Sequence, residues 1–65
     1  MQIILNGKTI KTQQTTLEGL LQEQSYGDCN VAIAIDGEFI PKTQRENTVL
    51  GNNQKIEIVA PMQGG

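Results

Sequence analysis

The chain has 65 residues, 37% of them hydrophobic, with a formal net charge of −2, which bounds it to one small domain burying about 60% of the surface its unfolded chain would expose. It contains no histidine and one cysteine, so a histidine-based triad, a Cys–His pair, a Cys/His metal cage and an intrachain disulfide framework are all excluded. Its slight acidity and its two aromatics, Tyr26 and Phe39, supply neither the basic surface nor the stacking platform that nucleic acid requires.

A self-sufficient enzyme is therefore not expected. The longest apolar run, residues 31–35, is far shorter than the ~20 residues a membrane helix needs. Residues 1–6 lack the basic start and long apolar stretch of a signal peptide. The expectation is a cytoplasmic chain with no membrane or nucleic-acid partner, and an unpaired cysteine agrees with a reducing compartment.

Taken in chain order, residues 2–6 carry Ile3, Ile4 and Leu5, followed by Asn6-Gly7 and the run 8–11. Two strand-compatible runs joined by Asn-Gly predict a hairpin, because both central residues of a type I′ turn need φ > 0. Ile3 and Leu5 then share one face. Next, Thr15-Thr16-Leu17-Glu18 matches a capping box, with Thr15 as N-cap and Glu18 reaching back to it. Leu17, Leu20 and Leu21 follow at helical spacing and predict a helix of about ten residues with one apolar stripe. Gly19 lies inside it and weakens it by about 1 kcal/mol relative to Ala, so the helix depends on packing. The turn-rich segment 25–30 ends it.

Residues 31–35 alternate large Val31, Ile33 and Ile35 with small Ala32 and Ala34, as expected of a strand whose bulky face meets the helix. Asp36-Gly37 signals a second type I′ turn, leading into a short strand over 38–41. Pro41 cannot donate to a ladder and predicts that this strand is an edge. Residues 42–47 are polar and irregular, with one helical turn; Val49 and Leu50 are expected to plug one end of the core. Gly51-Asn52-Asn53 is a further turn, and Ile56, Ile58 and Ala60 alternate with Glu57 and Val59 in a last strand. The predicted core is Ile3, Leu5, Leu17, Leu20, Leu21, Ile33, Ile35, Leu50, Ile56 and Ile58.

The order strand–strand–helix–strand–strand–strand predicts an α+β domain: one helix on one face of a mixed sheet of about five strands. The domain spans residues 1–60, and residues 61–65 (Pro61-Met62-Gln63-Gly64-Gly65) form a tail. Chain ends are commonly frayed. Two terminal glycines nevertheless make a slender segment able to thread a narrow channel, with no side chain obstructing attack on the Gly65 carbonyl. A carboxylate is a poor electrophile until converted to an acyl-adenylate. This chain has no phosphate-cradling loop for that step, so any chemistry at the tail belongs to a second protein.

A domain of this order ending in Gly64-Gly65 resembles the ubiquitin-like sulfur carriers, which share the β-grasp fold. Within them it is most similar to the thiamine-biosynthesis branch. The likeness runs from Met1-Gln2-Ile3 and the Asn6-Gly7 turn, through Thr16-Leu17-Glu18-Gly19-Leu20-Leu21 and the hairpin over 31–42, to Ile56-Glu57-Ile58-Val59-Ala60-Pro61-Met62-Gln63-Gly64-Gly65. It departs at Gly51-Asn52-Asn53-Gln54, where such carriers commonly have an acidic turn, and at Lys42, where Arg is common. The resemblance implies a carrier rather than a catalyst, monomeric when free and binding no cofactor or metal of its own. A partner activating enzyme would use ATP and Mg²⁺ to adenylate Gly65. Sulfur from a cysteine-desulfurase-derived persulfide would then convert it to a thiocarboxylate, and thiazole synthase would accept the sulfide. Gly64 would give clearance, while Met62 and Gln63 would lie along the partner's channel.

Two other roles remain open: a sulfur carrier for molybdopterin, tRNA thiolation or a sulfur-containing amino acid, and a ubiquitin-like modifier or interaction module. Cys29 could relay a persulfide. No basic neighbour in sequence lowers its pKa, however, and Asp28 raises it, so a small loop residue is the favoured reading. Ala32 and Ala34 form either a flat docking patch or a close-packed surface. The dispersed acidic residues would steer docking to a basic partner.

Overall fold

A computed structural model describes residues 1–26 and 30–59. In chain order these form β1 (Gln2–Leu5), β2 (Lys8–Lys11), α1 (Leu17–Glu23), β3 (Ala32–Ile35), β4 (Glu38–Phe39), a 3₁₀ helix (Lys42–Asn47) and β5 (Lys55–Val59). The strands make one sheet in the order β2-β1-β5-β3-β4. The pair β1–β5 is parallel, and β1–β2, β3–β4 and β3–β5 are antiparallel. The sheet is mixed, as the helical crossover predicts.

Both hairpins turn where expected. Asn6 and Gly7 have φ of 50° and 81°, and Asp36 and Gly37 have 50° and 86°, the positive pairs that a type I′ turn demands. In the first hairpin Ile3 pairs with Ile10 and Leu5 with Lys8, placing Ile3 and Leu5 on one side. As Pro41 implies, β4 is an edge. It is shorter than expected, ending at Phe39, because Pro41 already serves as N-cap of the 3₁₀ helix and its carbonyl accepts from Gln44 N at 2.9 Å.

The helix start differs from the capping-box expectation by one residue. Thr15 O accepts from Leu50 N at 2.8 Å and Leu17 N donates to Thr48 O at 2.9 Å, while Thr16 bridges Val49 in antiparallel fashion. These bonds keep the chain extended through Thr16, which becomes the N-cap with φ −122°. Its Oγ1 accepts from Gly19 N at 3.2 Å. The residue three positions on is then Gly19, which has no side chain to return the bond, so no reciprocal box forms. Glu18 instead accepts from Gln22 Nε2 at 3.2 Å, the i,i+4 arrangement.

The helix also ends early, with seven residues rather than about ten. Tyr26 N donates to Leu21 O at 2.6 Å and Ser25 N to Gln22 O at 3.1 Å, with Ser25 at φ 68°. This is a Schellman closure with serine in the left-handed position usually held by glycine. The half-buried Tyr26 packs against the core beside it.

The core lies between α1 and one face of the sheet. Ile3, Leu17, Leu20, Leu21, Ile33, Ile35, Leu50, Ile56 and Ile58 are buried as predicted, and Val31 joins them. Leu5 is only partly buried, packing against the rim of this cluster. Val49 does not plug the core: it is 70% exposed, because its bridge to Thr16 sends Leu50 inward, and the next residue along an extended chain faces the other way. Arg45, in the polar segment 42–47, is buried; its Nη2 donates to Val31 O at 2.6 Å, tying the 3₁₀ helix to the approach of β3.

Candidate functional site

β5 is the central strand of the sheet and is paired on both flanks. On one flank, Ala32 pairs with Val59, Ile33 with Ile58, Ala34 with Glu57 and Ile35 with Ile56. On the other, Ile4 pairs with Lys55 and Leu5 with Ile56. Ile56 and Ile58 face the helix and are buried, whereas Glu57 and Val59 face outward and are exposed.

The outward face over β3, β4 and the end of β5 carries exposed apolar side chains. Ala32 pairs with Val59 across β3–β5, and Ala34 pairs with Phe39 across β3–β4. Directly paired residues project to the same side of a sheet, so Ala32, Ala34, Phe39 and Val59 share the face opposite the helix with Glu57, which pairs with Ala34. Phe39 is 63% and Val59 62% exposed, well above what an accommodated core residue shows. Of the two readings of Ala32 and Ala34, the register favours a flat apolar patch. Their small side chains leave the larger Phe39 and Val59 standing at its edges.

Polar groups border this face. A shallow open cleft is lined by Ile4, Gly7, Asp36, Gly37, Lys55 and Glu57, with Ile56 beneath. Asp36 is committed to the fold: its Oδ1 accepts from Lys55 N at 3.0 Å and its own N donates to Lys55 O at 2.7 Å. The amide-rich turn before β5 is likewise occupied internally. Asn52 Oδ1 accepts from Gln2 N at 2.9 Å, Asn53 Oδ1 from Gln2 Nε2 at 3.2 Å, and Gln54 Oε1 from Gly51 N at 2.7 Å. Asn53 also takes φ 65°. The oxygens of this turn thus close it internally and onto β1.

Of the site residues read from sequence, Met62, Gln63, Gly64 and Gly65 lie outside the described residues, as does Cys29. The outer-face residues Phe39 and Val59 carried no functional signal in sequence beyond being apolar within alternating strands. Only the cross-strand register brings them beside Ala32 and Ala34. Among the described residues, no group of three or more His, Cys, Asp or Glu could hold a metal ion. No helix among them is long and apolar enough to cross a membrane.

Residues 3–65 match the model of the ThiS family, which is nearly the whole chain and includes both terminal glycines. The chain belongs to the ThiS family. Its fold is also similar to a crystal structure of a thiamine biosynthesis protein (ThiS) from Geobacter metallireducens, with a TM-score of 0.85 and 20% sequence identity over 100% of both chains. That likeness carries the fold: a five-stranded mixed sheet with one main helix, the β-grasp arrangement of the ThiS family. Among curated proteins no sequence matches this one.

Proposed function

We propose that this ThiS-family chain is a sulfur carrier of thiamine biosynthesis whose C-terminal Gly65 is the loaded residue. The observation that carries the reading is the extent of the family match, which spans residues 3–65 and so takes in the Gly64-Gly65 end.

The chemistry follows from what a carboxylate lacks. Its carbonyl becomes electrophilic when the oxygen attacks the α-phosphate of ATP, releasing pyrophosphate and leaving an acyl-adenylate. The terminal sulfur of a cysteine-desulfurase-derived persulfide then attacks this carbonyl and expels AMP. Cleavage of the S–S bond by a thiol reductant leaves a thiocarboxylate, which passes its sulfur to thiazole synthase. The nucleotide and Mg²⁺ belong to the activating enzyme, and the carrier contributes the body and the terminus. Gly64 and Gly65 keep the reacting carbonyl clear of side chains, and Met62 and Gln63 occupy the approach to the partner's active site.

The apolar outer face suits the docking half of this role. A patch of Ala32, Ala34, Phe39 and Val59 beside the last strand lets one partner hold the body while receiving the terminus. Exposed apolar and aromatic side chains beside a single charge, Glu57, suit a small docking surface with a polar rim. The same patch would serve a carrier in another thiolation pathway or a protein modifier, and the test must separate these.

Intact-mass measurement of the chain from cells does so. A thiocarboxylated carrier shows the mass gain of one oxygen replaced by sulfur, whereas a modifier appears as isopeptide conjugates on lysines. Co-purification with thiazole synthase supports the thiamine role over other thiolation pathways. Deletion of Gly65 abolishes adenylation while leaving the unfolding transition unchanged; adenylation that survives the deletion refutes the assignment of the terminus.

A further inference from the structure

The first hairpin contains a device that turn formation alone does not require. Along the flank of β5 that faces β1, the backbone groups to be paired belong to alternate residues. Ile4 N donates to Gln54 O at 2.9 Å and Asn6 N to Ile56 O at 2.8 Å. At Asn6 the chain turns away with φ 50°, and β1 can supply no further backbone partner. The next β5 residue on this flank, Ile58, is nevertheless paired at both of its groups: its N–H donates to Asn6 Oδ1 at 2.8 Å and its carbonyl accepts from Asn6 Nδ2 at 3.3 Å. A primary amide offers one acceptor and donors with the chemistry of a peptide group, so the Asn6 side chain acts as one more rung of the parallel ladder after the strand has left.

The position of that rung gives it a consequence. Val59 is the last described residue, and it is held on the opposite flank by its pairing with Ala32. The Asn6 amide thus closes the one side of β5 that β1 leaves open at the point where the chain enters its C-terminal residues. Without it, neither backbone group of Ile58 would have a partner, and the end of β5 would be held only through the pairing of its neighbours with β3.

Resting on the carrier reading above, we propose that Asn6 is a positioning residue for delivery of the C-terminus. It pins the root of the terminal segment to the body, so that a partner docked on the sheet receives the Gly65 carboxylate from a fixed origin. Freeing a residue at the root adds conformational freedom that must be surrendered each time the terminus is seated. The partial loss of order expected here raises KM roughly three- to tenfold, while kcat for the seated carboxylate stays within about twofold.

The two functions of Asn6, turn and clamp, separate cleanly by substitution. Asn6→Gly satisfies the positive φ and keeps the hairpin but removes both clamp bonds. Asn6→Asp keeps the turn and the acceptor for Ile58 N–H while losing the donor to Ile58 O. The experiment is ATP–pyrophosphate exchange by the cognate adenylating enzyme with the full chain as varied substrate, alongside amide hydrogen exchange on the free chain. Asn6→Gly is expected to raise KM with little change in kcat and to accelerate exchange at Ile58, with Ile33 unaffected; Asn6→Asp falls between it and the unsubstituted chain.

KM unchanged in both variants, with Ile58 exchange accelerated, makes the clamp merely structural and overturns the proposal. So does a rise in KM accompanied by an equal fall in kcat and loss of protection throughout the sheet. An unsubstituted chain that supports no pyrophosphate exchange overturns the carrier reading and this proposal with it, an outcome distinct from a working carrier indifferent to Asn6.

Discussion

Leu20→Ala against Val49→Ala is the most direct test of how the helix and the following segment meet the sheet. Leu20 is fully buried at the centre of the Leu17/Leu20/Leu21 stripe, while Val49 is 70% exposed although its neighbour Leu50 is buried. Truncating Leu20 removes three carbons from the core, about 2.4 kcal/mol at ~0.8 kcal/mol per buried methylene. The cavity left behind adds to this, since a residual ~50 Å³ costs about 1.2 kcal/mol more. The expected loss is about 3–4 kcal/mol, inside the range of measured Leu→Ala substitutions. A domain of this length has only roughly 3–10 kcal/mol in total, so the loss is a large fraction of it, and the melting temperature should fall by about 15–30 °C. Val49→Ala should stay within about 0.5 kcal/mol. Urea unfolding followed by far-UV circular dichroism measures both, with the slope of free energy against urea shared so that midpoints compare directly. A loss under about 1 kcal/mol for Leu20→Ala would refute the core placement of the helix stripe. A Val49→Ala cost equal to that of Leu20→Ala would refute the outward direction of Val49.

Two further predictions concern the helix start and the outer face. Thr16→Ala removes the hydroxyl that accepts from Gly19 N and should cost about 1 kcal/mol in the same urea assay. Thr15→Ala should stay within about 0.5 kcal/mol, because the contribution of Thr15 to this region is its backbone carbonyl. Phe39→Asp places a charge on the exposed apolar face and should lower kcat/KM with the activating enzyme by on the order of tenfold or more. Its unfolding midpoint should be unchanged; a fall in stability with unaltered kinetics would place Phe39 in the packing rather than in docking.

Much of the fold was legible because its signals are local. Asn6-Gly7 and Asp36-Gly37 require positive φ at consecutive residues, a demand set by backbone sterics and met wherever those residues sit. The alternation of Val31, Ile33 and Ile35 with alanines, and the spacing of Leu17, Leu20 and Leu21, report which side of an element is buried without saying against what. Pro41 marked an edge because a missing N–H has the same consequence in any sheet. The Gly64-Gly65 end carried the resemblance to the sulfur-carrier family, and the family match extends over it.

What escaped the sequence depends on partners distant along the chain. The cap moved from Thr15 to Thr16 because Thr48 and Leu50 hold the preceding residues extended, a contact with no trace near the helix itself. Val49 and Leu50 are adjacent and both apolar, and only the bridge to Thr16 decides which one turns inward. Arg45 reads as a solvated residue in a polar stretch, yet the packing of its short helix buries it against the Val31 carbonyl. The apolar face exists only once Ala32 meets Val59 and Ala34 meets Phe39.

Composition and local pattern by themselves determined the class of this protein: one small α+β body, hairpins at two known turns and one helix with a single apolar stripe. Tertiary structure decided the strand order β2-β1-β5-β3-β4, the grouping of the outward apolar residues and the reach of Asn6 across to Ile58. The division has one cause. Turn and helix preferences are properties of a few consecutive residues, whereas register and burial arise from pairing segments up to 52 positions apart, which is settled only when the whole core closes.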